Sequence, residues 1–126
     1  MRLLVFGSRT FSDRTFLFKA LDNFYRTSHP LVATVIEGEA PGADSLAREW
    51  AEHYGIEVVK YPADWAQHGR AAGPIRNRQM LLDGKPDYGI GFIDKEIEAS
   101  RGSKNMRDQL LRANVPVKIF RPGYES

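Results

Sequence analysis

Four short stretches of this chain combine glycines, hydroxyls and basic side chains in the way that binding an oxyanion requires. The first is Gly7-Ser8-Arg9-Thr10-Phe11-Ser12-Asp13. Gly7 permits a tight turn and close backbone approach, Ser8, Thr10 and Ser12 bring hydroxyls, and Arg9 brings a fork of donors. The second is Glu37-Gly38-Glu39-Ala40-Pro41-Gly42-Ala43-Asp44. Two glycines ahead of a helix start free backbone N–H groups to face a phosphate, and the helix dipole adds positive potential there. Glu37 and Glu39 sit awkwardly beside a phosphate and suit ribose hydroxyls or a metal better. The stretch is neither a Walker loop, which ends in Gly-Lys-Ser/Thr, nor a GxGxxG fingerprint.

The third stretch runs from Pro62-Ala63-Asp64-Trp65 to Gly73-Pro74-Ile75-Arg76-Asn77-Arg78. Trp65 can stack on a base, and Arg76 and Asn77 can grip phosphate. The fourth, Ser100-Arg101-Gly102-Ser103-Lys104-Asn105, is basic and opens a helix. Each stretch also has a plain reading: a capped turn at Asp13, a helix cap at Asp44, a core tryptophan at Trp65, a surface loop around Gly102. Two segments, Gln67 to Gln79 and Ala99 to Arg107, carry three Lys or Arg side chains each and no acid, which favours an anionic ligand. Arg76 falls two residues after Pro74, in a first helical turn where the dipole disfavours a cation. With no acid near it in sequence, it is expected to meet a bound anion and to matter little for stability.

The elements that must hold these stretches alternate. Apolar runs mark strands at Arg2–Phe6, Leu31–Ile36, Ile56–Tyr61, Asp87–Ile93 and Val115–Phe120. Helical spacing marks four helices: from Ser12 or Asp13 to Ser28, Asp44–Tyr54, Pro74–Asp83 and Ser103–Ala113. Pro62 to Gly73 and Asp94 to Gly102 read as irregular loops, and Arg121 to Ser126 as a loose tail. Strand alternating with helix implies an α/β, Rossmann-like three-layer sandwich around a mostly parallel five-stranded sheet, with strands one and two central. All four stretches then leave carboxyl ends of strands, where open parallel sheets bind ligands.

Composition narrows the class. At 126 residues the chain is expected to be one domain over 1–126. It has no cysteine, which removes disulfides, thiolate zinc sites and cysteine nucleophiles together. His29, His53 and His68 lack ligand spacing, so no metal site is expected and no cofactor is required; magnesium can enter through a ligand's phosphate. No apolar run reaches the ~20 residues of a membrane helix, so a cytoplasmic protein with no membrane partner is expected. The net charge of +2 and the interspersed acids speak against a nucleic-acid partner. Large aromatics on the first two helices, among them Phe18, Phe24 and Trp50, crowd a small core and suggest a homodimer.

Taken together, Val5-Phe6-Gly7-Ser8-Arg9, Gly38-Glu39-Ala40-Pro41-Gly42-Ala43-Asp44-Ser45-Leu46-Ala47, Pro62-Ala63-Asp64-Trp65 and Ala72-Gly73-Pro74-Ile75-Arg76-Asn77-Arg78-Gln79-Met80-Leu81 resemble the YspA/YpsA-related branch of the SLOG superfamily. The resemblance runs from the first strand to the last. It implies a Rossmann-like nucleotide-binding fold whose ligands are nucleotide-derived, such as ADP-ribose-like molecules or nucleoside monophosphates. Members occur in phages and bacteria, which for a phage protein means the host cytoplasm. Distant relatives include the LOG phosphoribohydrolases and the DNA-processing protein DprA. The LOG enzymes carry Pro-Gly-Gly-x-Gly-Thr-x-x-Glu before their fourth helix, with a catalytic glutamate. Aligned on Gly102-Ser103, this chain has Met106 at that position, and a thioether does no carboxylate chemistry.

The expectation is therefore a protein that binds a phosphate-bearing nucleotide or nucleotide-derived small molecule, sensing or sequestering it. Its expected ligand residues are Gly7, Ser8, Arg9, Gly38, Glu39, Gly42, Asp44, Trp65, Gly73, Arg76, Asn77, Arg101, Gly102 and Ser103. The alternatives are a nucleotide N-glycosidase, for which Glu39 and Asp44 are the candidate catalytic carboxylates, and a DprA-like nucleic-acid-binding module.

Overall fold

A computed structural model describes residues 1–122, with Glu98 described by its backbone alone; the rest of the expected loose tail, 123–126, lies outside the described residues. Five strands, β1 (Arg2–Gly7), β2 (Thr34–Glu37), β3 (Glu57–Lys60), β4 (Tyr88–Phe92) and β5 (Val117–Phe120), pair in the order β3-β2-β1-β4-β5. Every pairing is parallel. The helices are α1 (Arg14–Thr27), α2 (Ala43–His53), α3 (Trp65–His68), α4 (Ala72–Leu82) and α5 (Arg101–Arg112).

The period of two along β1 sets the layers. Leu3 and Val5 join a core that contains Leu17 and Leu21 of α1 and Ala47, Trp50 and Ala51 of α2. Leu4 and Phe6 point the other way, toward Met80 of α4 and Met106 and Leu110 of α5. Both sheet faces are covered, which is why β1 reads as a continuous apolar run and not as an alternation. β1 is the central strand, and β2 is interior beside it.

Trp50 is fully buried, with its indole N–H on Asp22, and Phe18 and Phe24 pack against the same core. Phe18 and Phe24 are only partly buried there, whereas Trp50 lies wholly inside. No helix among the described residues is long and apolar enough to cross a membrane.

Several boundaries depart from sequence expectation. β2 starts three residues late, leaving Leu31 exposed, and continues through Glu37, which is buried despite its charge. Its register with β1 begins at Thr34 opposite Arg2; ahead of it, Leu31 O and the Ala33 amide bond only to Met1, which precedes β1. α4 starts at Ala72, not Pro74. Proline is tolerated at its third position because the first four helical N–H groups have no intrahelical partner. α5 starts at Arg101, ahead of Ser103. The loop from Pro62 to Gly73 contains α3 and a 3-10 turn at Gly69–Ala71, because Asp64 accepts a hydrogen bond from the Gln67 amide and starts a helical turn.

Candidate functional site

After β1 the chain passes to β2 on one side and β4 lies on the other, so the connections leaving β1 and β4 diverge and open a crevice. A cavity of about 590 Å³ lies there. Phe6 to Thr10 line it from the end of β1, and Ala40 and Asp44 from the β2–α2 connection. Trp65 and Arg70 close one side; Gly73, Pro74, Arg76, Asn77 and Met80 come from α4. Lys95, Ala99 to Ser103 and Met106 complete it from the β4–α5 connection.

The first two stretches are stitched to each other. The Ser8 amide donates to Phe92 O at 2.9 Å, and Ser8 O accepts from the amides of Phe11 and Ala43. Gly7 is required by this closeness: a Cβ there would lie 2.0 Å from Phe92 O and 2.6 Å from the Ala43 methyl. Gly42 is required twice over, with φ +79° and a would-be Cβ 2.3 Å from Ser8 O.

The β2–α2 connection satisfies its own donors. Asp44 Oδ2 accepts from the amides of Gly38 and Ala40 at 3.1 and 3.3 Å, and Glu37 Oε1 accepts from the Glu39 amide. Asp44 is thus no cap for α2; its N-cap position, Gly42, makes no side-chain bond. The structure places Gly38, Glu39 and Gly42 outside the cavity lining, and Glu39 is exposed. Asp44, the other candidate carboxylate, does line it. Burial raises the Asp44 carboxyl to about 6 despite the nearby Arg76. Burial also raises Glu37 to about 7, with Arg48 3.6 Å from its Oε2.

Arg76 does have an acid near it, contrary to the reading of its sequence neighbourhood. Its guanidinium packs over Gly38, where a Cβ would meet Nη1 at 2.4 Å and Asp44 Oδ2 at 2.9 Å. It donates through Nη1 to Gly38 O at 2.6 Å and through Nε to Asn77 Oδ1 at 3.0 Å. Among the described residues Nη2 has no protein acceptor, and Arg76 lines the cavity. The acid is Asp44, 32 residues upstream and so outside the sequence neighbourhood of Arg76.

Trp65 is 46% exposed, not a core residue, and the Arg9 guanidinium sits 4.6 Å from its ring centre. Ser8, Ser100 and Ser103 form a buried hydroxyl row, with Oγ to Oγ distances of 3.3 and 3.4 Å, between the end of β1 and the start of α5. Gly73, Arg101 and Gly102 also line the cavity. Met106 packs with Met80 and Phe6 in the lining, a thioether where the LOG motif has its glutamate.

Capping follows a pattern. α1 is capped by Asp13, and α3 by Asp64. α4 and α5, whose first turns line the cavity together with Asp44 of α2 and Trp65 of α3, have no side-chain cap and no acid in the first turn. α2 has no side-chain cap either, but it carries Asp44 in its first turn. The Ala72 amide at the head of α4 is taken by Gly69 O, whereas the positive end of α5 is left for something else to satisfy. Among the described residues, the cations Arg9, Arg70, Arg76, Lys95 and Arg101 share the lining with one acid, Asp44. Lys95 was not legible as a site residue, because in sequence it sits between Asp94 and Glu96; Arg70 and Ser100 lay inside stretches already marked as basic.

Residues 1–68 match the family described as YspA, cpYpsA-related SLOG. The chain is also 34% identical over 125 residues to the Gene 61 protein of Mycobacterium phage D29, covering 94% of this chain and 95% of the relative. No solved structure matches significantly.

Proposed function

Because the chain belongs to the YspA, cpYpsA-related SLOG family, we propose that it binds a phosphate-bearing nucleotide or nucleotide-derived small molecule in the cavity at the end of β1, and that it senses or sequesters this ligand. The observation that carries the reading is the pair of acid-free helix starts of α4 and α5, neither with a side-chain cap, facing one cavity in which the described residues place five cations and one acid. An anion there satisfies helix-end amides and unbalanced charge together. Arg76 Nη2 and the first-turn amides of α5 receive phosphate, with the hydroxyls of Ser8 and Ser103 beside them. Trp65, half open at the rim, receives the base.

Calorimetric titration with AMP, ADP and ADP-ribose tests this, with products followed in parallel. One-to-one binding without turnover is the expected result. Absence of binding across the panel would contradict it. Release of a free base would favour a nucleotide N-glycosidase, for which Asp44, a carboxyl held near 6 in the cavity, is the candidate. Trp65→Ala is expected to weaken ADP binding by about fivefold or more, from a stacking contribution of ~1 kcal/mol at the low end of its usual range, suited to a half-exposed ring. The same variant should bind pyrophosphate as the parent does; equal losses for both ligands would remove Trp65 from the base subsite.

A further inference from the structure

Asn77 lies in the cavity wall, yet it is only 3% exposed and its amide is already engaged on every side. Nδ2 donates to Gly102 O at 3.2 Å and to Asn105 Oδ1 at 3.1 Å, while Oδ1 accepts from Arg76 Nε at 3.0 Å. The orientation of the amide is dictated by its neighbours. Arg76 Nε can only donate and the Gly102 carbonyl can only accept, so exchanging N and O would oppose like with like at both. No donor is left over for a ligand, although the sequence pointed to Asn77 as a ligand contact.

What the amide touches gives it another role. Arg76 reaches on to Gly38 O through Nη1. Asn105 Oδ1 also accepts from Gln109 Nε2 at 2.8 Å. A single side chain therefore joins the β2–α2 connection, through Arg76, to the first turn of α5, through Gly102. The anion-facing groups are mounted on the two helices this amide bridges: Arg76 on α4, beside Asn77 and braced on Gly38 O, and the helix-start amides of Gly102 and Ser103 on α5.

We infer that Asn77 is a positioning residue, which holds the Arg76 guanidinium and the first turn of α5 in one fixed relation so that both sides of the site meet the same anion without reorganising. Its effect on binding rests on the phosphate reading above; the clamp itself belongs to the ligand-free chain. An arginine bonded at Nε and Nη1 keeps its outer edge in one direction, and a buried amide does this without adding a charge that would compete with the ligand. Aspartate at the same place keeps the acceptor for Arg76 but sets its second oxygen against Gly102 O and Asn105 Oδ1.

Two measurements test the clamp, one of them independent of any ligand. In the free protein the Arg76 Nε–H resonance, assigned by its absence in Arg76→Lys, is expected to be sharp and protected from solvent exchange. Asn77→Ala should broaden it, whereas Asn77→Asp, the second variant if the alanine form does not fold, should retain it. The other measurement is pyrophosphate affinity in a double-mutant cycle with thermal melts alongside. Asn77→Ala should weaken binding about tenfold in the parent and by less than about threefold in the Arg76→Ala background, since residues acting through one contact are not additive. The loss of melting temperature should also be smaller in the Arg76→Ala background, because Arg76 Nε and Asn77 Oδ1 bond each other. An unchanged Nε–H signal in Asn77→Ala, or equal affinity losses in both backgrounds, would overturn the inference. If the parent does not bind pyrophosphate, the phosphate reading fails and the Nε–H resonance alone decides whether the clamp exists.

Discussion

Arg76→Ala is expected to weaken nucleotide binding by roughly 10- to 150-fold, because a charge-assisted hydrogen bond contributes about 1.5–3 kcal/mol and each 1.4 kcal/mol is a factor of ten. The same substitution should also destabilise the fold at neutral pH. The sequence alone led to the opposite expectation, since a cation leaving a positive helix end ought to be harmless. Arg76 is not isolated, however. It donates to Gly38 O and to Asn77 Oδ1, and it offsets the buried charge of Asp44. Removing it takes a donor from each of two acceptors and takes from Asp44 the strongest charge opposing its burial, leaving that carboxylate the Gly38 and Ala40 amides and the weaker influence of Arg9, for a loss of about 1–3 kcal/mol. That loss should shrink below about pH 6, where Asp44 takes up its proton. Calorimetry and thermal melts at pH 5 and 7.5 check both halves. Unchanged affinity with a lowered melting temperature would make Arg76 a structural residue only.

Stability should fall as pH rises from 5 to 8, the reverse of the usual behaviour of paired surface carboxylates. Glu37 is raised to about 7 and Asp44 to about 6, both chiefly by burial. The folded chain thus holds these two protons to higher pH than the unfolded chain does. Their stabilising contribution is full below the unfolded carboxyl range and is lost as pH climbs through 6 for Asp44 and 7 for Glu37. Over the window from pH 5 to 8 the loss is on the order of 3 kcal/mol. Asp22 and Asp108, lowered by their hydrogen bonds, act the other way, but only below that window. Urea denaturation at pH 5, 6, 7 and 8 reads the slope. Glu37→Gln should remove most of it, since Glu37 titrates across more of the window. A flat or rising profile in the parent would mean that these carboxyls are ionised in the fold and better compensated than their surroundings suggest.

The layer architecture and the edge at which most of the marked residues gather were legible because each rests on a local signal. Alternating apolar runs and helical stripes specify a parallel sheet, and a parallel sheet specifies which loops share an edge. Gly7, Ser8, Arg9, Asp44, Trp65, Gly73, Arg76, Asn77, Arg101, Gly102 and Ser103 all line the one cavity. The roles of some residues were not legible, because they depend on contacts far apart in sequence. The glycines at 38 and 42 look like a phosphate loop, yet the amides of Gly38 and Ala40 face Asp44, and Gly42 serves close packing against Ser8. Asn77 looks like a ligand contact until Gly102 and Asn105 are seen to occupy its donors. Lys95 carried no signal at all, being flanked by acids.

The most direct test of nucleotide binding at this edge is a residue-resolved titration of the ¹⁵N-labelled chain with ADP. Saturable shifts are predicted at the amides of Arg9 and Thr10, at Gly73, and at Arg101 to Ser103, with the indole N–H of Trp65 moving and that of the buried Trp50 still. Shifts confined to the opposite edge of the sheet, around Asp87 and Pro116, or no saturable shift with ADP, AMP or ADP-ribose, would contradict the assignment of this cavity as a nucleotide site.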